Sequence, residues 1–94
     1  MSYKLKFMSE ALKEWGKLDN GVKFQFKKKL IERLENPRVE SARLCGLKDC
    51  YKIKLRSAGY RLVYEVRDGE LIVSVVTVGK RERNLVYNIA KKRI

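Results

Sequence analysis

The chain has 94 residues, 45% of them hydrophobic, enough for one compact α+β-sized domain with a modest core and too few for two. Lys and Arg total 23 against 11 Asp and Glu, a formal charge of +12, so the surface repels itself unless a polyanion or an acidic partner is usually bound. There is no histidine and only two cysteines, Cys45 and Cys50, which excludes the usual zinc, haem and metzincin ligand sets, calls for no cofactor, and leaves proton transfer to Lys, Arg, Tyr, Asp or Glu.

The opening MSYKLKF offers neither an apolar signal core nor an acylation motif, and the longest apolar runs are strand-length, so no membrane association is expected. Two reduced thiols then fit a cytoplasmic protein. Residues 3–7 alternate apolar and basic, the period of a short half-buried strand. Ser9 is a candidate N-cap for a helix whose Ala11, Leu12, Trp15 and Leu18 recur at helical spacing up to a break at 18–21. A second helix is predicted from about Val22 to Glu35, with Val22, Phe26, Leu30 and Leu34 four apart, Ile31 widening that face and Lys23, Lys27, Lys28 and Lys29 on its rim. Asn36-Pro37 stops it, since proline disfavours helix at the residue before it.

Residues 37–49 read as a loop, followed by strands at 50–56, 59–67 and 70–78 that form a meander. Asp68-Gly69 predicts a type I′ turn between the last two, and Ser57-Ala58 a tight connection between the first two. A final helix is expected from Glu82 or Asn84 to Lys92, with Leu85, Val86, Ile89 and Ala90 inward. The order β-α-α-β-β-β-α, without repeat or linker, makes residues 1–94 one α+β domain with a mainly antiparallel sheet flanked by helices.

Alternation puts Tyr51, Ile53 and Leu55 on one face of the first meander strand and Lys52, Lys54 and Arg56 on the other. A hairpin centred on Ser57-Ala58 matches Tyr51 with Tyr64, Ile53 with Leu62 and Leu55 with Tyr60, and the same register sets Lys54 opposite Arg61. Like charges directly across a sheet are destabilising, so this patch asks for an anion. A solvated basic face is the plainer alternative. Lys80-Arg81-Glu82-Arg83 follows at the junction of the last strand with the last helix, and Tyr87 lies one turn beyond Arg83 on the same helical face, a pairing suited to stacking on a base while a guanidinium holds phosphate.

The segments CYKIKLRSAGYRLVYEV at 50–66 and SVVTVGKRER at 74–83, with Tyr87, ALKEW at 11–15 and KKKL at 27–30, resemble the RelE toxins, the mRNA-interferase branch of the RelE/ParE superfamily. The resemblance covers nearly the whole chain. It implies a curved sheet similar in shape to those of microbial ribonucleases, and a metal-independent endoribonuclease of a type II toxin-antitoxin system. Such an enzyme enters the A site of the 70S ribosome, contacts 16S rRNA, and inhibits translation by cutting the bound mRNA through ribose 2′-oxygen attack. It also implies neutralisation by a cognate RelB-type antitoxin that wraps the toxin. The family's functional positions fall on Lys52, Lys54, Arg61, Arg81 and Tyr87. Relatives can carry a basic residue where this chain has Cys45, which puts one RNA contact in doubt.

In that scheme Lys54 is the candidate base, its pKa pushed down by Lys52, Arg61 and Arg56. Arg61 and Lys52 would hold the non-bridging phosphate oxygens, Arg81 would face the leaving oxygen, and Tyr87 would stack on a base or orient the 2′-hydroxyl. Glu65 is the alternative base. Arg56, Lys80, Arg83, Lys27, Lys28 and Lys29 are candidate RNA contacts, as are Lys13, Lys17 and Lys23. Two other readings stay open, a ParE-type gyrase-poisoning toxin of the same fold and a non-catalytic basic module that binds RNA or the ribosome.

Overall fold

A computed structural model of the chain describes residues 2–82 and 85–94. Its elements are strand β1 (Lys4–Phe7), helices α1 (Ser9–Gly16) and α2 (Asn20–Glu35), strands β2 (Cys50–Leu55), β3 (Tyr60–Arg67) and β4 (Ile72–Lys80), and helix α3 (Leu85–Arg93). The four strands form one sheet in the order β1-β4-β3-β2, antiparallel except that β1 runs parallel to β4. The α+β expectation holds. A parallel neighbour requires a long crossover, and here everything between Met8 and Leu71 supplies it.

The β2–β3 register is the one the apolar partners demand: Tyr51 faces Tyr64, Ile53 faces Leu62, Leu55 faces Tyr60, and Lys54 faces Arg61. Any slip by one residue would turn every apolar side chain to the wrong face. The face carrying Ile53, Leu62 and Tyr64 packs against Phe26 and Leu30 of α2 and Trp15 of α1. Each large side chain fully buried there contributes roughly 1.5–3 kcal/mol.

On the other face a smaller core gathers Cys50, Val63, Val76, Val86, Ala90 and Leu44. Val76 reaches it through a β-bulge: Val63 pairs with Thr77 while Tyr64 pairs with Val75, so Val76 is the extra residue. The bulge shifts the alternation by one residue, so Val75 and Val78, three apart, both serve the larger core while Val76 serves the smaller. The helix α3 covers only the part of this second face around Val63 and Cys50. The rest, where Lys54 stands, is left open.

Several local expectations change. The first helix has Met8, not Ser9, at its N-cap, because the Met8 amide still bonds to the Val75 carbonyl at 2.9 Å and holds the backbone extended up to the helix's first residue. α2 begins at Asn20, inside the expected break, because the Asp19 carboxylate accepts from the Val22 amide at 2.9 Å and caps it; such a cap is worth about 1 kcal/mol. The contact stripe of α2 is narrow. Ile31 is exposed rather than widening it, as is Leu12 on α1. The loop at 37–49 contains a one-turn 3₁₀ segment, Glu40–Ala42.

The turn at Asp68-Gly69 is not type I′ either. Arg67 pairs with Ile72, leaving four residues, of which Asp68–Glu70 make a 3₁₀ turn and Leu71 takes the left-handed conformation at φ 54°. The reason is tertiary: the Asp68 carboxylate is held by the Tyr3 hydroxyl and by Arg38. Strand β4 accordingly starts at Ile72 and runs on to Lys80. α3 begins among the described residues at Leu85, which is exposed rather than inward.

Candidate RNA-cleavage site

At the open end of β2 and β3 the hairpin turn closes with Gly59 at φ 71°, a left-handed conformation that glycine adopts without strain. The Gly59 carbonyl accepts from the Arg81 amide at 2.8 Å. This bond ties the residue after β4 to the β2–β3 turn. Sequence positions 56 and 81 are thereby brought to one place.

The result is a concave pocket of about 310 Å³ lined by Lys54, Leu55, Arg56, Tyr60, Arg61 and Arg81. Four cations face it and, among the described residues, no carboxylate lines it. Lys52 stands on the same sheet face, two residues along β2 and opposite Val63. Its charge is the main cause that holds the Lys54 amine below the ordinary lysine range, followed by partial desolvation and then by Arg61, Arg56 and Arg81. Crowded ammonium and guanidinium groups disfavour one another's charged forms, which is how a lysine becomes a usable base.

Behind the pocket, the Arg61 guanidinium lies over the Tyr87 ring, 5.2 Å from its centroid. Among the described residues, Arg61 Nε and the Tyr87 hydroxyl are buried without a hydrogen-bond partner. An unmet buried polar group costs about 1–3 kcal/mol, so Arg61 and Tyr87 carry a local cost to the fold. Tyr87 is not freely exposed. It is half-buried against the second core, with Arg61 on its ring.

The structure thus brings together Lys52, Lys54, Arg56, Arg61, Arg81 and Tyr87. Lys80 is exposed one residue before Arg81, in register with Tyr60. Arg83 lies outside the described residues. Glu65 is poorly placed for the base role: it pairs with Cys50 beyond Lys52 and Val63, and its carboxylate accepts from Arg67 Nε at 3.0 Å. Burial, with help from the Glu65 and Asp49 charges, pushes the Cys50 thiol up to about 12 and leaves it inert. Cys45 is exposed in the loop beside Tyr87, Asn88 and Lys91.

Lys27, Lys28 and Lys29 are not part of this pocket. Phe26 and Leu30 point α2 at the opposite sheet face, so its exposed lysines are separated from Lys54 by the sheet and the helix itself. Tyr60, with its cross-strand partner Leu55, is a lining residue that alternation missed. It belongs to the face of Leu62 and Tyr64, but at the last rung of the hairpin the pocket wraps around the sheet end and takes in Tyr60 and Leu55. Only the position next to the turn hinted at it.

A pocket lined by four cations and, among the described residues, by no carboxylate has the chemistry to hold a phosphodiester, and comparison with known proteins gives the family. The chain belongs to the ParE toxin family of type II toxin-antitoxin systems, described as the ParE toxin of parDE, which it matches over residues 5–85, and within that family to the RelE toxins. It is 60% identical over 94 residues to the mRNA interferase toxin RelE of Escherichia coli strain K12, covering 100% of this chain and 99% of that one. Its fold superposes with a TM-score of 0.92 on a double-arginine mutant of E. coli toxin RelE in the free state, at 57% identity over 100% of this chain and 99% of the other. The same mutant in complex with a peptide of the antitoxin RelB matches with a TM-score of 0.84, 57% identity and the same coverage.

Proposed function

We propose that this protein is the toxin of a type II toxin-antitoxin pair and acts in the cytoplasm as an endoribonuclease that cuts mRNA in the ribosomal A site, halting translation. The observation that carries the reading is the convergence of Lys54, Arg56, Arg61 and Arg81 on one pocket. Lys54 Nζ takes the proton of the ribose 2′-hydroxyl. The 2′-oxygen attacks phosphorus while the bond from phosphorus to the 5′-oxygen breaks, giving a 2′,3′-cyclic phosphate and a 5′-oxygen that takes a proton from water to become the 5′-hydroxyl. Lys52 and Arg61 stabilise charge on the non-bridging oxygens, and Arg81 assists the departing oxygen electrostatically, since a guanidinium yields its proton reluctantly.

Cations alone align a flexible single strand poorly. The ribosome supplies that alignment, and holding the attacking oxygen in line with the leaving group is worth several orders of magnitude in rate. The cognate antitoxin is of the RelB type. A ParE-type, gyrase-directed toxin is favoured only by the family's description, and the full-length identity to an mRNA interferase weighs against it.

Primer extension on mRNA from a translating extract given purified protein tests the reading. Breaks within codons at the A site are expected. Intact mRNA together with gyrase-dependent DNA breaks would support the gyrase-poisoning alternative, and intact mRNA with ribosome binding alone would support the non-catalytic one.

A further inference from the structure

Helix α3 carries Tyr87 against Arg61, yet little apolar surface holds it down. Its buried residues are Val86 and Ala90, both small, and a helix this short is not stable by itself in water. Its far end is fixed by Arg93. The Arg93 side chain, 15% exposed, places Nη1 2.8 Å from Glu14 Oε1 and Nη2 3.1 Å from Glu14 Oε2, with Glu10 Oε2 also 3.1 Å from Nη2. Nη1 further donates to the Val76 carbonyl at 2.9 Å. Val76 is the bulge residue of β4, left out of the strand pairing with β3.

Glu14 is held from its other side. Its Oε1 accepts from the Thr77 hydroxyl at 2.9 Å and from the Val78 amide at 3.4 Å. Burial by itself would raise this carboxyl, but the bonds from Arg93 and Thr77, the Arg93 charge and the Val78 amide outweigh it and bring it below the ordinary glutamate range. Three elements, α1, β4 and α3, meet at this one forked contact. Such a two-toothed, partly buried pair fixes direction as well as distance, unlike a solvated surface pair.

Arg93 lies six residues from Tyr87, about 9 Å along the helix axis at 1.5 Å per residue. A tilt released at Arg93 therefore displaces Tyr87. We infer that Arg93 and Glu14 are positioning residues for RNA cleavage: their ion pair, closed on Val76 and Thr77, sets where α3 holds Tyr87 against Arg61. The inference rests on the reading of Arg61 and Tyr87 as groups that touch the RNA.

The test is a double-mutant cycle between Arg93→Ala and Tyr87→Ala, read by single-turnover cleavage on programmed ribosomes at saturating enzyme. Arg93→Ala is expected to lower the rate roughly 10- to 100-fold, the loss that follows when a group is misplaced by about 1 Å. Ribosome binding should stay near the parent value, and Arg93→Lys should recover part of the rate. In the Tyr87→Ala background the same change should cost little, because no tyrosine remains to be misplaced. Equal losses in both backgrounds, or a folded Arg93→Ala protein that cleaves at the parent rate, overturn the inference. Should Arg93→Ala not fold, Glu14→Gln takes its place in the same cycle. Amide exchange separates this from the cleavage reading: protection at residues 85–93 should fall in the variant while β2 and β3 keep theirs, and unchanged protection overturns the latch whether or not the parent cuts mRNA.

Discussion

Lys54 is where stability and chemistry oppose each other. Register puts it across from Arg61, and Lys52, Arg56 and Arg81 add further positive charge around it. Replacing Lys54 with Ala removes one cation from a self-repelling patch, so the variant should melt no lower than the parent. Its single-turnover cleavage on ribosomes should nonetheless fall by roughly 10²- to 10⁴-fold, the usual contribution of a general base. The pH profile gives the sign. The neutral amine is the working form, so the rate at subsaturating enzyme should rise with pH and level off above the Lys54 pKa, with its inflection below the ordinary lysine value of about 10.4. A Lys54→Ala protein with the parent rate or the parent inflection would assign the base elsewhere. Lys54 and Arg61 are legible in the sequence because alternation and hairpin register are local. The Arg61 stack on Tyr87 is not, since it depends on how α3 docks.

At the scale of elements, α2 and the β2–β3 hairpin present charge on opposite sides of the sheet. The lysines at 27, 28 and 29 are exposed, with Lys28 Nζ 5.2 Å from the Phe24 ring centroid. They lie away from the pocket that Arg61 lines, and in the proposed reading they meet ribosomal RNA instead of the reacting phosphate. Replacing all three with Ala should weaken ribosome binding and flatten its salt dependence by about 2–3 in the slope of log K against log salt, as expected if each neutralises one phosphate. The saturated rate should change far less than in Lys54→Ala. A comparable collapse of the saturated rate would place α2 in the chemistry. Helix spacing made α2 readable, but its width was overestimated at Ile31, because periodicity marks a candidate face and only the neighbouring sheet decides how much of it is covered.

For the whole molecule, two carboxylates bind distant parts of the chain together. Glu14 joins α1 to β4 and α3, while Asp68, lowered by the Tyr3 hydroxyl and then by Arg38, joins the β3–β4 turn to the amino-terminal segment and to the loop after α2. Asp68 is half exposed, so Glu14 carries the larger share. A carboxyl whose folded pKa is depressed stabilises the fold above its unfolded value of about 4 and loses that contribution as pH falls through the folded pKa. Thermal melts of the parent should therefore decline more steeply below about pH 4 than those of Glu14→Gln, which has already lost the ionised pair. Parallel curves would show that the Glu14 pair adds nothing to acid stability.

The amino-acid sequence by itself determined the element order, the register that opposes Lys54 to Arg61, and the strongly basic surface, because periodicity, turn spacing and charge are carried by neighbours along the chain. Only the tertiary structure decided that β1 runs parallel beside β4, that Asp68 abandons a type I′ turn for Tyr3 and Arg38, and that Val76 bulges to offer its carbonyl to Arg93. It also decided that Arg81 is tied to Gly59 and that Tyr87 lies under Arg61. Each of these joins residues far apart in sequence, and the free energy that selects them comes from pairing and burial that no local segment contains.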